Sequence, residues 1–420
     1  MRRNRLIPVL AHAGMALFLS TGDALAYDLR GHVKLQTTAA DYPEDSLFQE
    51  FSDDPARDAG LDLRANLAGE NAGWRWHVDY QLVARAGDQV ELQQQNPGFG
   101  FGNPAAPEDD ARVFDLEHRI SEDDDRIVSH RLDRFYAGYS SERGVVNIGR
   151  QAVSWGNGLI YNPVDFFNPF DPAAIDTEYK TGDDMIYSQY LFDSGDDLQA
   201  VWVGRRDDDD DVSADVSSLA VKYHGFAPAG EYDLLLAEHF DAQMFALGGA
   251  VDHADAVWRG DILVTDSGGD RVESLVLNWS YSWVAWNKNL SATVEYYHNG
   301  FGIGDGDYSP AALAQNPELV ERVTRGELFT LGENYLAATA TLELNPLWLA
   351  TVTLFRNLDD DSMLLQILSQ HDLEQDLQLW LSLNLPSGDD GSEFGGIDST
   401  TPERPLAVDA SLFAQLAWYF

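Results

Sequence analysis

The 420-residue sequence contains no cysteine. That absence excludes a disulfide framework, a thiolate metal site and a cysteine nucleophile. Basic residues are scarce: 27 Lys and Arg stand against 70 Asp and Glu, a net charge of −43 at pH 7. Nucleic-acid binding goes with them, because that affinity comes from neutralising phosphates with Lys and Arg. Nothing after Ala26 resembles a helical membrane span, which needs about 20 apolar residues, and no amphipathic helical stripe replaces it. Catalytic signatures are missing as well: there is no G-x-S-x-G elbow after Ala26, no H-E-x-x-H and no phosphate loop, so no enzyme activity and no cofactor are expected. Gly302 to Asp307 (GIGDGD) lacks the order and closing Glu of a calcium loop, and no metal site is expected there. Disorder is excluded in turn by 44% hydrophobic and 11% aromatic residues, too many for a chain that cannot bury a core.

The first segment reads as an address. Arg2, Arg3 and Arg5 precede an apolar stretch from Leu6 to Leu19, and Ala24-Leu25-Ala26 follows. This is the order of a secretory signal, so 1–26 is expected to be cleaved and 27–420 to form one exported domain.

What is abundant after Ala26 is alternation at period two, the mark of a strand with two unlike faces. Trp74, Trp76, Val78, Tyr80 and Leu82 alternate with Arg75, His77, Asp79 and Gln81. Leu275, Leu277, Trp279, Tyr281 and Trp283 alternate with Val276, Asn278, Ser280 and Ser282. Eighteen such segments run from 28–38 to 408–420. Apolar faces with Trp and Tyr near their ends suit interfacial girdles, and charged opposite faces suit a wet lumen. Odd-numbered connections are long and even ones tight, except a short one at Asp241-Ala242. The expected fold is all-β: a transmembrane antiparallel up-and-down barrel of 16–18 strands, with both termini and the short turns inside the cell envelope. The final strand ends on Phe420, which resembles the insertion signal of Gram-negative outer-membrane barrels. That resemblance implies the outer membrane, its lipid and lipopolysaccharide, and the barrel-assembly machinery as surroundings; a homo-oligomer stays open.

Charge is unevenly placed. Acidic runs such as Asp207 to Asp211 and Asp359 to Asp361 fall in connections, as solvated loops or as cation-binding ones. Arg30, Lys34, Arg64, Arg75 and Arg134 alternate with apolar positions of their strands and are expected to line the lumen. They form either a basic pore wall facing acidic loops or, with Asp62 and Asp79, a salt-bridge network.

The most distinctive segment follows Ser154. Trp155, Tyr161, Phe166, Phe167 and Phe170 lie between Gly, Asn and Pro residues. A loop with that much apolar area should fold into the lumen, so 155–183 is expected to constrict the pore and to bring Asp165, Asp171 and Asp176 to it. Gly149-Arg150-Gln151, then Trp155-Gly156 and Leu159-Ile160, resembles the alginate-export and related porin-like families. The resemblance implies a channel for anionic polysaccharides or small solutes, with Arg150 on its wall. Strict alternation, however, puts Arg150 outward with Val146 and Ile148 unless a bulge at Gly149 turns it in.

The expected function is passage of a small hydrophilic solute or an oligosaccharide through the barrel. Export of an anionic polysaccharide with a periplasmic partner is one alternative. A non-conducting structural or adhesion barrel with acidic cation-binding loops is the other.

Overall fold

The computed structural model describes residues 27–53, 55–95, 109–401 and 403–420. The expected signal, 1–26, lies outside the described residues. Nineteen strands make one antiparallel sheet. The first nine are β1 (Tyr27–Asp41), β2 (Ala56–Asn71), β3 (Trp74–Gly87), β4 (Glu117–Asp123), β5 (Arg126–Ser140), β6 (Gly144–Gln151), β7 (Asp183–Leu191), β8 (Asp197–Val203) and β9 (Ser218–Ala227). Then come β10 (Gly230–His239), β11 (Ala242–His253), β12 (Ala256–Ser267), β13 (Asp270–Ala285), β14 (Lys288–His298), β15 (Asn334–Asn345), β16 (Trp348–Asn357), β17 (Met363–Glu374), β18 (Leu377–Ser387) and β19 (Ala410–Tyr419).

Each strand pairs with the next, except at β4, and β19 returns to β1 in register from His32–Tyr419 to Asp41–Ala410. β3 pairs directly with β5, while β4 covers β5 over Arg126–Arg131, on the edge that β6 occupies over Phe135–Ser140. The wall therefore has 18 staves, and β4 is an extra strand inside 86–128, which the sequence pattern leaves as loop. The seam closes on the last residue: Phe420 N donates to Gly31 O at 3.0 Å, and Gly31 N to Phe420 O at 3.0 Å. Gly31 is required there, since a Cβ would meet Arg64 O at 2.2 Å and the Phe420 ring at 2.5 Å.

One end of the barrel carries tight turns. Ala72-Gly73, Ala254-Asp255 and Trp286-Asn287 have positive φ at both residues, the mirror-image turns whose twist matches paired strands. The other end carries the long connections, including 88–125, 152–182, 299–333 and 388–409. Three connections at this loop end are short, Phe240-Asp241, Gly268-Gly269 and the five residues Leu358 to Ser362, which corrects the expectation of a single exception. The loop end also holds short helices: α1 (Asp88–Gln95), α2 (Pro310–Gln315) and α3 (Pro317–Thr324). Pro at the start of α2 and α3 fits the first helical turn, where a missing N–H costs nothing. Among the described residues, no helix is long and apolar enough to cross a membrane.

The two faces of the wall differ as alternation requires. Leu35, Ile148, Leu219, Leu236, Leu277 and Leu412 are exposed on the outside. Trp279, Tyr281 and Trp283 stack along the outer face of β13 at 5.9 and 5.8 Å, toward the turn end. A belt of exposed leucines with aromatic rims is what a hydrocarbon layer stabilises.

One backbone feature departs from alternation. Ile148 is 59% exposed on the outer face, yet Arg150 is only 2% exposed and points inward. Pairing with β7 stays in step, Ile148 to Ile186 and Arg150 to Asp184, so no residue is inserted. The turn comes instead from Gly149, whose φ of +125° only glycine adopts readily. A Cβ there would meet Phe135 O at 2.2 Å. The expected bulge is thus a glycine twist.

Two predictions follow from these placements. Gly149→Ala should cost about 1–3 kcal/mol, the scale of strain at such a dihedral. Urea unfolding of the detergent-refolded protein would show a lower midpoint, and an unchanged midpoint would refute the role of the twist. The second concerns Glu327 in the connection 299–333, which takes Arg325 Nε at 2.7 Å, Arg322 NH1 at 3.0 Å and His239 Nε2 at 3.1 Å. Burial alone would raise its carboxyl, but the His239 hydrogen bond and the Arg325 charge hold it down at about 2. Its contribution is therefore present above the ordinary glutamate value of 4.5 and is lost as pH falls through about 2. Amide protection of 299–333 should fall as pH is lowered from 4.5 towards 2, and Glu327→Gln should lose part of it already at pH 7.

Candidate functional site

The site is the lumen, and the segment 152–182 organises it. Trp155, Val164, Phe166 and Phe167 are buried against Met185, Val201, Leu235, Met244 and Leu263, on the inner face of β7 to β12. Each such side chain removed from water stabilises the docked segment by about 1.5–3 kcal/mol. The Trp155 indole N–H donates to Gln199 Oε1 at 2.8 Å, so its polar edge is satisfied too. Further round, the Tyr161 ring stacks on Tyr297 with centroids 4.9 Å apart and tilts against Tyr335 at 5.5 Å.

Backbone groups of the segment have no ladder, and wall carboxylates satisfy them. Glu295 accepts the N–H groups of Leu159, Ile160 and Tyr161 at 2.8, 3.0 and 2.6 Å. Asp261 accepts both the Asn157 N–H at 2.5 Å and its side-chain amide at 2.7 Å. Within the segment, Lys180 holds Asp165, Val153 O at 2.7 Å and Ser154 Oγ at 3.0 Å. Burial pushes the Asp165 carboxyl up and the Lys180 ammonium down despite their pairing, so desolvation outweighs attraction there. The Asp171 carboxylate stays open to the lumen and caps Ala173 N at 2.8 Å. Gln366 of β17 donates to Ala173 O at 2.9 Å. The return arm then reaches β1: Lys34 Nζ meets Asp176 at 2.6 Å and Glu178 at 2.8 Å. The segment thus crosses the lumen from β6 round to β1 and back to β7.

The residues read as a basic wall have definite partners. Arg30 is 76% exposed near the turn end and pairs with Asp28 at 2.7 Å. Arg64 is buried against Asp133 at 2.8 Å, with Asp79 at 3.6 Å. Arg134 also meets Asp133 at 2.8 Å and donates to Lys180 O. Arg150 is clamped between Asp109 and Asp184, and donates to Phe114 O at 2.6 Å, so it ties the 88–125 connection to β6 and β7. Arg75 differs, because its Nε donates to the neutral Asn147 Oδ1 at 3.0 Å. Arg30, Lys34, Arg64, Arg134 and Arg150 thus each have a carboxylate partner, whereas Arg75 shows none among the described residues.

Two strong contributors carry little signal in the sequence. Asp133, between Arg64, Arg131 and Arg134, sits beside a register shift opposite Asp79/Tyr80 that breaks the alternation of β5. Glu295 lies in a strand of otherwise ordinary pattern. A signal for the landing face does exist: Val201-Trp202-Val203, Leu234-Leu235-Leu236 and Ile262-Leu263-Val264 are apolar on both faces, as strands covered on both sides are.

Between the segment and the wall of β2 to β8 a cavity of about 500 Å³ remains. Asn66, Tyr136, Asn147 and Tyr187 line its wall side, and Gln151 to Trp155 with Tyr179 line the other. Among the described residues, no group of three His, Asp or Glu is placed to hold a metal ion. Glu295→Ala should release the turn at 159–161. Exchange of those three amides should speed up about tenfold or more, as expected for losing bonds to a charged acceptor of about 1.5–3 kcal/mol each; unchanged exchange would show that the aromatic contacts alone hold the segment.

No family model and no curated protein sequence matches the chain. Solved structures do. OccAB4 of Acinetobacter baumannii superposes with a TM-score of 0.53 at 6% identity, over 95% of this chain and 100% of that one. OpdQ of Pseudomonas aeruginosa gives 0.51 at 8% identity, over 94% and 97%. Wzi of Escherichia coli, described as a carbohydrate-binding β-barrel of the outer membrane, gives 0.50 at 11% identity, over 97% and 87%. At these identities the likeness is one of fold, and the fold is that of the outer-membrane porin barrels.

Proposed function

We propose that the protein is an outer-membrane channel through which a small hydrophilic solute passes by diffusion, restricted by the segment 152–182. The observation that carries this reading is the polar-lined cavity of about 500 Å³ left between that segment and the wall. Such a geometry sorts by size and by fixed dipoles and charges, and it needs no chemistry. The exposed leucine belt supports placement in lipid, with residues 1–26 as the export signal, the loop end outside the cell and Phe420 at the point of insertion. Lipopolysaccharide and the barrel-assembly machinery are then its surroundings, and a trimer or other homo-oligomer is compatible with this wall.

A specific observation favours a second reading, a barrel that binds at its loop end and conducts little: the segment is held at Glu295, Asp261, Gln366 and Lys34, on four separate staves. Export of an anionic polymer draws on the likeness around Gly149 to Ile160. Against it, the carboxylates of this lumen already occupy Lys34, Arg64, Arg134 and Arg150.

Planar-bilayer recording of the refolded protein in a salt gradient decides between these readings. A steady conductance supports the channel, and silence from a folded barrel supports the plugged alternative. Arg75→Glu should move the reversal potential toward cation selectivity, because Arg75 is the wall guanidinium beside the cavity without a carboxylate contact. Arg150→Gln should leave selectivity alone and lower stability instead.

A further inference from the structure

We infer that the solute this opening selects is an uncharged polyhydroxylated one, a neutral mono- or oligosaccharide; the inference rests on the channel reading above. It comes from what the charges at the cavity are already doing. Asp79 accepts His77 Nε2 at 2.6 Å and faces Arg64 at 3.6 Å. Arg134 is spent on Asp133 and on Lys180 O. Among the described residues that line the cavity, a solute carboxylate meets no cation without a carboxylate partner, and a solute ammonium meets no carboxylate without a partner of its own. Arg75 is not part of the lining but sits beside it, donating to Asn147 Oδ1, so its charge acts on ions near the cavity without a direct contact to the solute.

What remains to meet the solute is amide, phenol and ring surface. Asn66 Oδ1 is buried and accepts from no protein donor, while the same side chain donates to the Tyr179 hydroxyl at 3.0 Å. That oxygen has almost no accessible surface, so a solute donor reaches it only when the Asn66 carboxamide turns toward the cavity that the residue lines. Asn147 and Gln151, bonded to each other at 3.0 Å, add carboxamides that both donate and accept. Hydroxyls do the same, so a sugar can match either partner without a proton or charge to compensate. The sugar ring also presents C–H faces, and the rings of Tyr136, Tyr179 and Tyr187 supply apolar surface beside the amides. Tyr136 is fixed by stacking on His77, with centroids 5.5 Å apart and planes 3° off parallel. A cavity of this size also lies within the range of small-ligand sites, roughly 300–1,000 Å³.

The test uses the refolded chain in proteoliposomes and three probes of nearly one size: glucose, glucuronate and glucosamine, each charged probe with a permeant counter-ion. Glucose flux should exceed both others several-fold and should saturate with concentration. Asn66→Ala and, separately, Tyr136→Ala should lower glucose flux without lowering potassium chloride conductance; Asn66→Ser and Tyr136→Phe replace them should either fail to fold. Glucuronate or glucosamine passing as fast as glucose, or glucose flux that no variant lowers, overturns the inference while leaving a conducting channel intact. A folded barrel that passes no potassium chloride overturns the channel reading itself, and this inference with it.

Discussion

The constraint on which everything else depends is closure. Lipid offers no partner for a strand's free N–H and C=O groups, so the sheet has to return to its first strand. Here the return is made at the very end of the last strand, where Phe420 and Gly31 exchange two backbone bonds and a glycine leaves room for the ring. Closure with 18 staves encloses a lumen too wide for wall side chains to fill. Water can fill that space, but this chain places part of itself there. It uses the 31 residues from 152 to 182, bounded by β6 and β7.

Docking such a segment reverses the usual logic of a barrel interior. Inward positions are ordinarily polar because they face water, but several on β7 to β12 are Met, Val, Leu or Ala because they face Trp155, Phe166 and Phe167. The segment in turn has backbone donors with no sheet to join, and Glu295 and Asp261 accept them from the wall. Part of the chain's acidity is structural for that reason. Asp109, Asp176 and Glu178 likewise hold cations that fasten connections to staves, Asp133 and Asp184 hold cations of other staves, and Glu327 holds those of its own connection. The basic residues are few, and among the described residues most of those inside the barrel are tethered in this way.

Alternation made the wall legible in the sequence: all 18 staves are where apolar and polar residues alternate between turn-forming pairs. β4 was not legible, because Glu117–Asp123 carries too few apolar residues to alternate and exists by covering one edge of β5. The aromatic content of 155–183 marked the segment in the sequence, while its polar anchors were invisible, since a single Glu in a strand looks the same whether it faces water or three backbone amides. Arg150 shows the limit most clearly. Its side of the strand depends on one dihedral of Gly149, and period-two reading assumes that no such dihedral occurs.

The same arrangement determines how the lumen can discriminate. An opening framed by mobile lysines and arginines would attract ions and adapt to them. Arg75 apart, this one is framed by side chains whose charges are cancelled within a few ångströms and whose positions are fixed by buried contacts: Arg64 over the Tyr179 ring at 4.2 Å, Tyr136 on His77, Trp155 on Gln199. Rigidity and local neutrality together leave shape and hydrogen bonding as the means of selection. The large negative charge of the chain sits mostly where it does not bear on this choice, in exposed connections such as Asp207 to Asp211. Net charge therefore describes how the protein meets the solution around it, and the pairing inside the barrel describes what a solute in the lumen would meet.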